Sequence, residues 1–249
     1  MSLILFHSPK GGVGNSFLAA QLAIQLAHRG HQVTAIDFTF QGALKLNFAI
    51  LPSQSLANMS RTPGDVTVVH GVELLNGYDL AQERDFREAL AAGHAGIFNS
   101  QHITIVDVES GDLELKSILY DRCDLHICTL MPQAAALATL PLVVPGTATV
   151  ALEKTAFVLN SIDDTRRLSR DSNKFVRELL GDALVANVRR DEAVNEALAR
   201  FEPLTKAAPS SIIHGDVARL AAAVEQRLGR TALQAEDADG GGRRGAAKR

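Results

Sequence analysis

The sequence predicts an α/β fold: a mostly parallel, doubly wound sheet flanked by helices. Three observations predict it. Short apolar runs alternate with segments of helical periodicity, the pattern of βα units. Most of those runs are β-branched and unbroken by polar residues, as strands buried on both faces should be. A glycine-rich stretch, Pro9-Lys10-Gly11-Gly12-Val13-Gly14-Asn15-Ser16, stands between the first run and the first helical segment, where a phosphate-binding loop belongs.

The elements follow in order. Leu3 to His7 reads as the first strand. A helix begins near Ser16 and runs to about Arg29, with Leu18, Ala19, Leu22, Ala23 and Leu26 on the face turned to the sheet and Gly30 as its stop. Gln32 to Asp37 is the second strand. Further strands are expected at Val66 to Val69, Ile103 to Val106, Leu125 to Leu130, Ala156 to Leu159 and Ala183 to Ala186. Helices are expected at Leu80 to Ala92, Ser169 to Leu180, Glu192 to Phe201 and Asp216 to Leu228. Residues 1–228 therefore read as one domain. The segment 229–249 is polar and of low complexity, and is expected to be a disordered tail.

Composition excludes several classes. With 249 residues the chain can bury a sizeable core, and its net charge of −3 is not that of a protein basic overall and built to coat DNA. Cys123 and Cys128 complete no zinc pattern and read as reduced thiols. The start lacks the features of a signal peptide. The longest apolar stretch, Ala134 to Val144, is too short to span a bilayer and is interrupted by Pro141. The expected location is the cytoplasm, with any recruitment to the inner membrane through partners rather than by insertion.

The phosphate loop carries most of the chemistry. Gly11, Gly12 and Gly14 allow backbone angles closed to other residues and let amide N–H groups approach phosphate oxygens. The helix that follows adds its positive end. Ser16 stands where a hydroxyl would ligate Mg²⁺. Asp37 and Asp107 end two strands, at the crevice where open α/β sheets take ligands.

These residues resemble the ParA/MinD family of deviant Walker A P-loop proteins, and the resemblance runs to about residue 228. It implies ATP and Mg²⁺ as cofactors, and a homodimer on ATP binding in which Lys10 reaches across to the partner's nucleotide. Ile36-Asp37-Phe38-Thr39-Phe40-Gln41-Gly42 resembles the family's first switch segment, and Asp107 its Walker B aspartate. Asn160 matches the position that reads the adenine edge, and the segment from Asn187 through Arg189 to Asp191 the one that closes over the base. The implied nucleotide site is thus Lys10, Gly11, Gly12, Val13, Gly14, Asn15, Ser16, Asn160 and Arg189, and the implied Mg²⁺ site Ser16, Asp37 and Asp107. The run Leu159-Asn160-Ser161-Ile162-Asp163-Asp164-Thr165-Arg166-Arg167-Leu168-Ser169-Arg170-Asp171 looks like the BcsQ/YhjQ branch, which is implicated in bacterial cellulose synthesis and its localisation. That branch implies cellulose synthase complex proteins as partners.

Two departures qualify the activity. Asn15 replaces the lysine that would place its ammonium on the phosphates, and Thr39 replaces the switch aspartate that would orient the attacking water. Loss of a charged phosphate contact costs about 3–4 kcal/mol of transition-state stabilisation, or roughly two to three decades in rate. The sequence therefore implies a degenerate ATPase that holds nucleotide with weak or absent hydrolysis. Glu109 is a candidate to stand in for the missing aspartate. The alternative is an active ATPase that partitions DNA or cargo. The basic cluster of Arg166, Arg167 and Arg170 is the candidate DNA contact, and overall charge gives it no support.

Overall fold

A computed structural model describes residues 2–60, 65–93, 98 and 101–243, with side chains through residue 229. Among the described residues nine strands form one sheet: β1 Ser2–Phe6, β2 Val33–Asp37, β3 Ala57–Asn58, β4 Thr67–Val69, β5 Val72–Asn76, β6 Ile103–Asp107, β7 Leu125–Leu130, β8 Thr155–Ile162 and β9 Leu184–Arg189. The order is β3-β5-β2-β6-β1-β7-β8-β9, all parallel, with β4 antiparallel to β5. The helices are α1 Asn15–His28, α2 Tyr78–Gln82, α3 Arg84–Ala91, α4 Leu113–Arg122, α5 Ala134–Leu137, α6 Arg167–Leu180, α7 Ala193–Arg200, α8 Leu204–Ala207 and α9 Ile213–Arg243.

Alternation along β1 shows how the layers form. Ile4 and Phe6 point into a cluster with Leu18, Leu22 and Leu26 of α1 and Val217, Leu220 and Val224 of α9. Leu3 and Leu5 point the other way, onto Leu115 and Leu119 of α4 and Phe86 of α3. The α6 side is closed by a third cluster, in which Val176 and Leu180 meet Phe157 and Leu159 of β8. Helices thus cover both faces of the sheet, as the sequence predicts.

The differences are local. The strand expected at Val66 to Val69 is β4, and it is not buried on both faces: Val66 and Val68 are exposed because the strand forms the outer arm of a hairpin. Its partner β5 and the helix α4 do not stand out in the sequence, since Val72–Asn76 and Leu113–Arg122 mix charge into their apolar positions. The helix expected over Leu80 to Ala92 is two, split at Glu83, which takes an extended backbone. The last helix continues past the expected boundary at 229 to Arg243, and residues 244–249 lie outside the described residues. No described helix is long and apolar enough to cross a membrane. Cys123 and Cys128 are both free and buried, and burial pushes each thiol up to about 12.

Candidate functional site: a phosphate cradle and two adjoining cavities

Parallel pairing aligns the C-terminal ends of β2, β6, β1, β7 and β8 along one edge of the sheet. The phosphate loop leaves β1 at that edge and turns into α1. Gly12 and Gly14 both sit at positive φ, 75° and 89°. At Gly14 a Cβ would stand 2.3 Å from Nδ2 of Asn160, so only glycine fits. Two cavities open on either side of these glycines. One, of about 620 Å³, is lined by Lys10, Gly11, Asn15, Ser16, Thr39 and Asp107 among others. The other, of about 450 Å³, is lined by Val13, Met131, Asn160, Asp163, Arg189 and Asp191 among others. Gly12, Gly14, Phe17, Asn47 and Leu198 line both.

The Asn15 side chain, on the wall of the first cavity, spends its amide on neighbouring strand ends. Its Nδ2 donates to Asp107 Oδ1 at 3.1 Å, and its Oδ1 accepts from Ser8 Oγ at 3.2 Å and Thr129 Oγ1 at 2.9 Å. Ser8 Oγ in turn accepts from the Thr129 N–H at 2.8 Å. The amide is therefore a brace that ties the start of α1 to the ends of β1, β6 and β7. Below it lie two buried histidines. His126 Nε2 bonds to the His7 carbonyl at 3.0 Å, and the ring nitrogens of His7 have no hydrogen-bond partner among the described residues. Burial lowers both, His7 to about 4 with Lys116 as the next cause and His126 to about 3 with the competing His7 ring as the next, so both are neutral near pH 7.

The two strand-end aspartates differ. Both oxygens of Asp37 are in use: Oδ1 accepts from the Thr39 N–H at 2.8 Å and the Thr39 hydroxyl at 2.6 Å, and Oδ2 from the Leu44 N–H at 3.0 Å. Asp37 thus shapes the loop that follows β2, and Thr39 faces that carboxylate. Asp107 is buried, with Oδ2 unpartnered among the described residues. Burial, and then the charge of Asp37, push it up to about 7, against the pull of the Ser16 hydroxyl and the Asn15 amide. A buried carboxylate oxygen beside a serine hydroxyl at the mouth of α1 is a fitting place for a divalent cation. Among the described residues no three His, Cys, Asp or Glu cluster to hold a metal unaided, so a cation here would draw further ligands from phosphate or water. Lys10 lines the cavity with no ion-pair partner among the described residues. Among the described residues the Glu109 carboxylate accepts one long bond, from the Phe40 N–H at 3.3 Å.

On the second side, Asn160 Nδ2 donates to the Val13 carbonyl at 2.9 Å and its Oδ1 accepts from the Ser161 N–H at 2.8 Å. A register shift between Leu159 and Ile162 and the positive φ of Ser161, 57°, mark a bulge that turns Asn160 back toward the phosphate loop. Arg189 is held by Asp216 of α9: its backbone N–H and its Nε donate to Oδ2 at 2.9 and 3.0 Å, and its NH2 to Oδ1 at 2.8 Å. Arg219 also donates to that carboxylate.

Residues 4–204 match the CobQ/CobB/MinD/ParA nucleotide binding domain family. The chain belongs to that family. Among solved structures it is similar to a ParA family ATPase from Chlorobium tepidum TLS, at 19% identity over 88% of this chain and 97% of that one, with a TM-score of 0.69. It is also similar to the septum site-determining protein MinD complexed with Mg-ADP from Pyrococcus horikoshii OT3, at 16% identity over 92% and 98%, TM-score 0.66. A third is the ATP complex of a variant of McdA from Cyanothece, at 14% identity over 92% and 96%, TM-score 0.69. At these identities the structures establish the ParA/MinD fold alone. No curated protein matches the chain by sequence.

The loop from Gly11 to Ser16, Asn160 and Arg189 all fall within the matched residues. The structure brings the implied site residues together around the two cavities. Asp37 stands just behind the first, in register with Asp107 and bonded to Thr39 of the cavity wall. Three further residues join the arrangement: Ser8, Thr129 and Asp216. Their one sequence signal is a polar residue at a strand end or a helix start.

Proposed function

We propose that this ParA/MinD-like protein binds ATP and forms a nucleotide-gated dimer with weak or absent hydrolysis. Its role would be that of a scaffold or regulator of bacterial cellulose synthesis or its localisation. The observation that carries the weak-hydrolysis reading is the direction of Asn15. A lysine there would bring a mobile cation to the phosphates, whereas the amide is consumed by Ser8, Thr129 and Asp107. With Thr39 bonded to Asp37, no carboxylate replaces the switch aspartate at that position.

In this reading the amides of the loop hold the triphosphate together with Lys10, which has no ion-pair partner among the described residues. Ser16 and Asp107 would hold Mg²⁺, which when bound offsets phosphate charge. Asn160 and Arg189 border the cavity suited to the base. Cellulose synthase proteins as partners, and a cytoplasmic location with recruitment through those partners, rest on the likeness of the 159–171 run to the BcsQ/YhjQ branch. DNA is disfavoured as a partner by the net charge of −3, and in that run Arg166 pairs with Asp163, Arg167 with Asp171, and Arg170 donates to the Asp164 carbonyl.

Calorimetric titration with ATP and with ADP, each with Mg²⁺, tests the reading, beside a steady-state phosphate-release assay with and without DNA. Binding in the micromolar range with little release is expected, and Lys10→Ala should weaken ATP-induced dimerisation at least tenfold. Asn15→Lys should raise affinity or turnover about tenfold or more, the scale of one charge-assisted contact. No binding of either nucleotide would end the proposal, and brisk DNA-stimulated release would favour the partitioning ATPase instead.

A further inference from the structure

The phosphate cavity is short of positive charge. Lys10 is the one basic side chain among the described residues that line it, and the carboxylates of Asp107 and Glu109 line it too. Basic groups nearby are committed elsewhere. Lys45, beyond β2, turns its Nζ to the carbonyls of Pro52 and Gln54 at 2.9 and 2.6 Å. In the adjoining cavity Arg166 pairs with Asp163, Arg189 with Asp216 and Arg190 with Glu192. A triphosphate keeps net negative charge even with Mg²⁺ bound, and these walls meet it with one ammonium against two carboxylates.

The wall at position 15 is rich in oxygen instead of carrying a cation. Asn15 spends its Nδ2 on Asp107, and its Oδ1 lies 3.2 Å from Ser8 Oγ and 2.9 Å from Thr129 Oγ1. Ser8, Asn15, Ser16 and Asp107 all line the cavity. Asp107 is 1% exposed, and its Oδ2 has no partner among the described residues. Neutral side-chain oxygens gathered around one buried carboxylate are donors for a hard cation. A lysine ammonium is a compact, strongly hydrated point charge, and an alkali ion is the free cation most like it. Phosphate oxygens and water can complete the shell of such an ion.

We propose that a monovalent alkali cation, K⁺ or Na⁺, binds beside Asn15 together with the triphosphate and supplies the charge that a loop lysine would carry. Ser8 and Asn15 offer it oxygens, while Ser16 and Asp107 serve Mg²⁺. This rests on the ATP-binding reading above and adds a second cation to it. The test is calorimetric titration of the full chain with ATP and Mg²⁺ at one fixed ionic strength, in KCl, NaCl or choline chloride, so that general screening is held constant. ATP should bind tighter by about tenfold or more in the better alkali salt than in choline, the scale of one charge-assisted contact, and the gain should saturate with that ion. Asn15→Lys should bind ATP equally in all three salts, because its tethered ammonium takes the ion's place. The gain expected of that variant thus appears in choline and shrinks in the better alkali salt. Equal wild-type affinity in the three salts overturns the alkali site and leaves ATP binding standing. A cooperatively unfolding Asn15→Lys that keeps the wild-type salt preference overturns it as well. The wild-type comparison needs no variant, so it stays decisive even if Asn15→Lys does not fold. A wild-type chain that binds no ATP in any salt removes the nucleotide reading and the alkali site together.

Discussion

The two cavities flanking Gly12 and Gly14 treat buried charge in opposite ways. On the Arg189 side, the fully buried Asp216 accepts from a backbone N–H and two arginines, and its carboxyl is held below the usual range despite burial. On the phosphate side, Asp107 is as deeply buried but has a neutral amide where a cation would serve, and its pKa rises to about 7. The Arg189-side cavity is finished as folded. The phosphate-side cavity carries an unpaired acceptor and an elevated carboxyl, a cost that a cation could offset. Destabilised groups of this kind mark sites kept for binding rather than for stability.

Replacing Asp107 should show the largest effect. A carboxyl raised in the folded state binds more protons there than in the unfolded chain, so its ionisation costs stability as pH rises from about 4 to about 7. Asp107→Asn should therefore match wild type in urea unfolding near pH 4 and exceed it near pH 7.5 by roughly 2–4 kcal/mol, at about 1.4 kcal/mol per unit. A gap that does not grow with pH would mean that Asp107 is not the strained group. The two histidines act in the other direction: their lowered values make stability fall as pH drops from about 6.5 toward 4 and 3.

Asp216→Ala should lower stability by about 1–3 kcal/mol. That is less than for a wholly buried pair, because the side chain of Arg189 is 42% exposed and its guanidinium can turn to water. An unchanged unfolding curve would remove the contrast between the cavities. The smallest effect belongs to the tie between them. Asn160→Ala should cost about 1 kcal/mol and raise amide exchange selectively in residues 11–16, since the Val13 carbonyl loses its donor. Uniform exchange across the chain would show that the loop does not depend on that bond.

Much of this was readable from short stretches. The Leu18–Leu26 spacing placed α1, the apolar runs placed the central strands, and strand-end positions marked Asp37 and Asp107. Elements failed where burial is one-sided or mixed. Leu113–Arg122 buries Leu115, Lys116 and Leu119 among charges, so its periodicity is faint, and β5 alternates Val72 and Leu74 with Glu73 beside the edge strand β4. Ser8 and Thr129 carried no signal of a joint role, being 121 residues apart.

By itself the sequence determined the phosphate loop, its glycines, the absence of a lysine at position 15 and the α/β pattern around them, because propensity and periodicity act over a few residues. Only the tertiary structure decided where Asn15 points. That depends on β1 lying between β6 and β7, a parallel pairing of distant strands that brings Ser8, Asp107 and Thr129 within hydrogen-bonding reach of one amide.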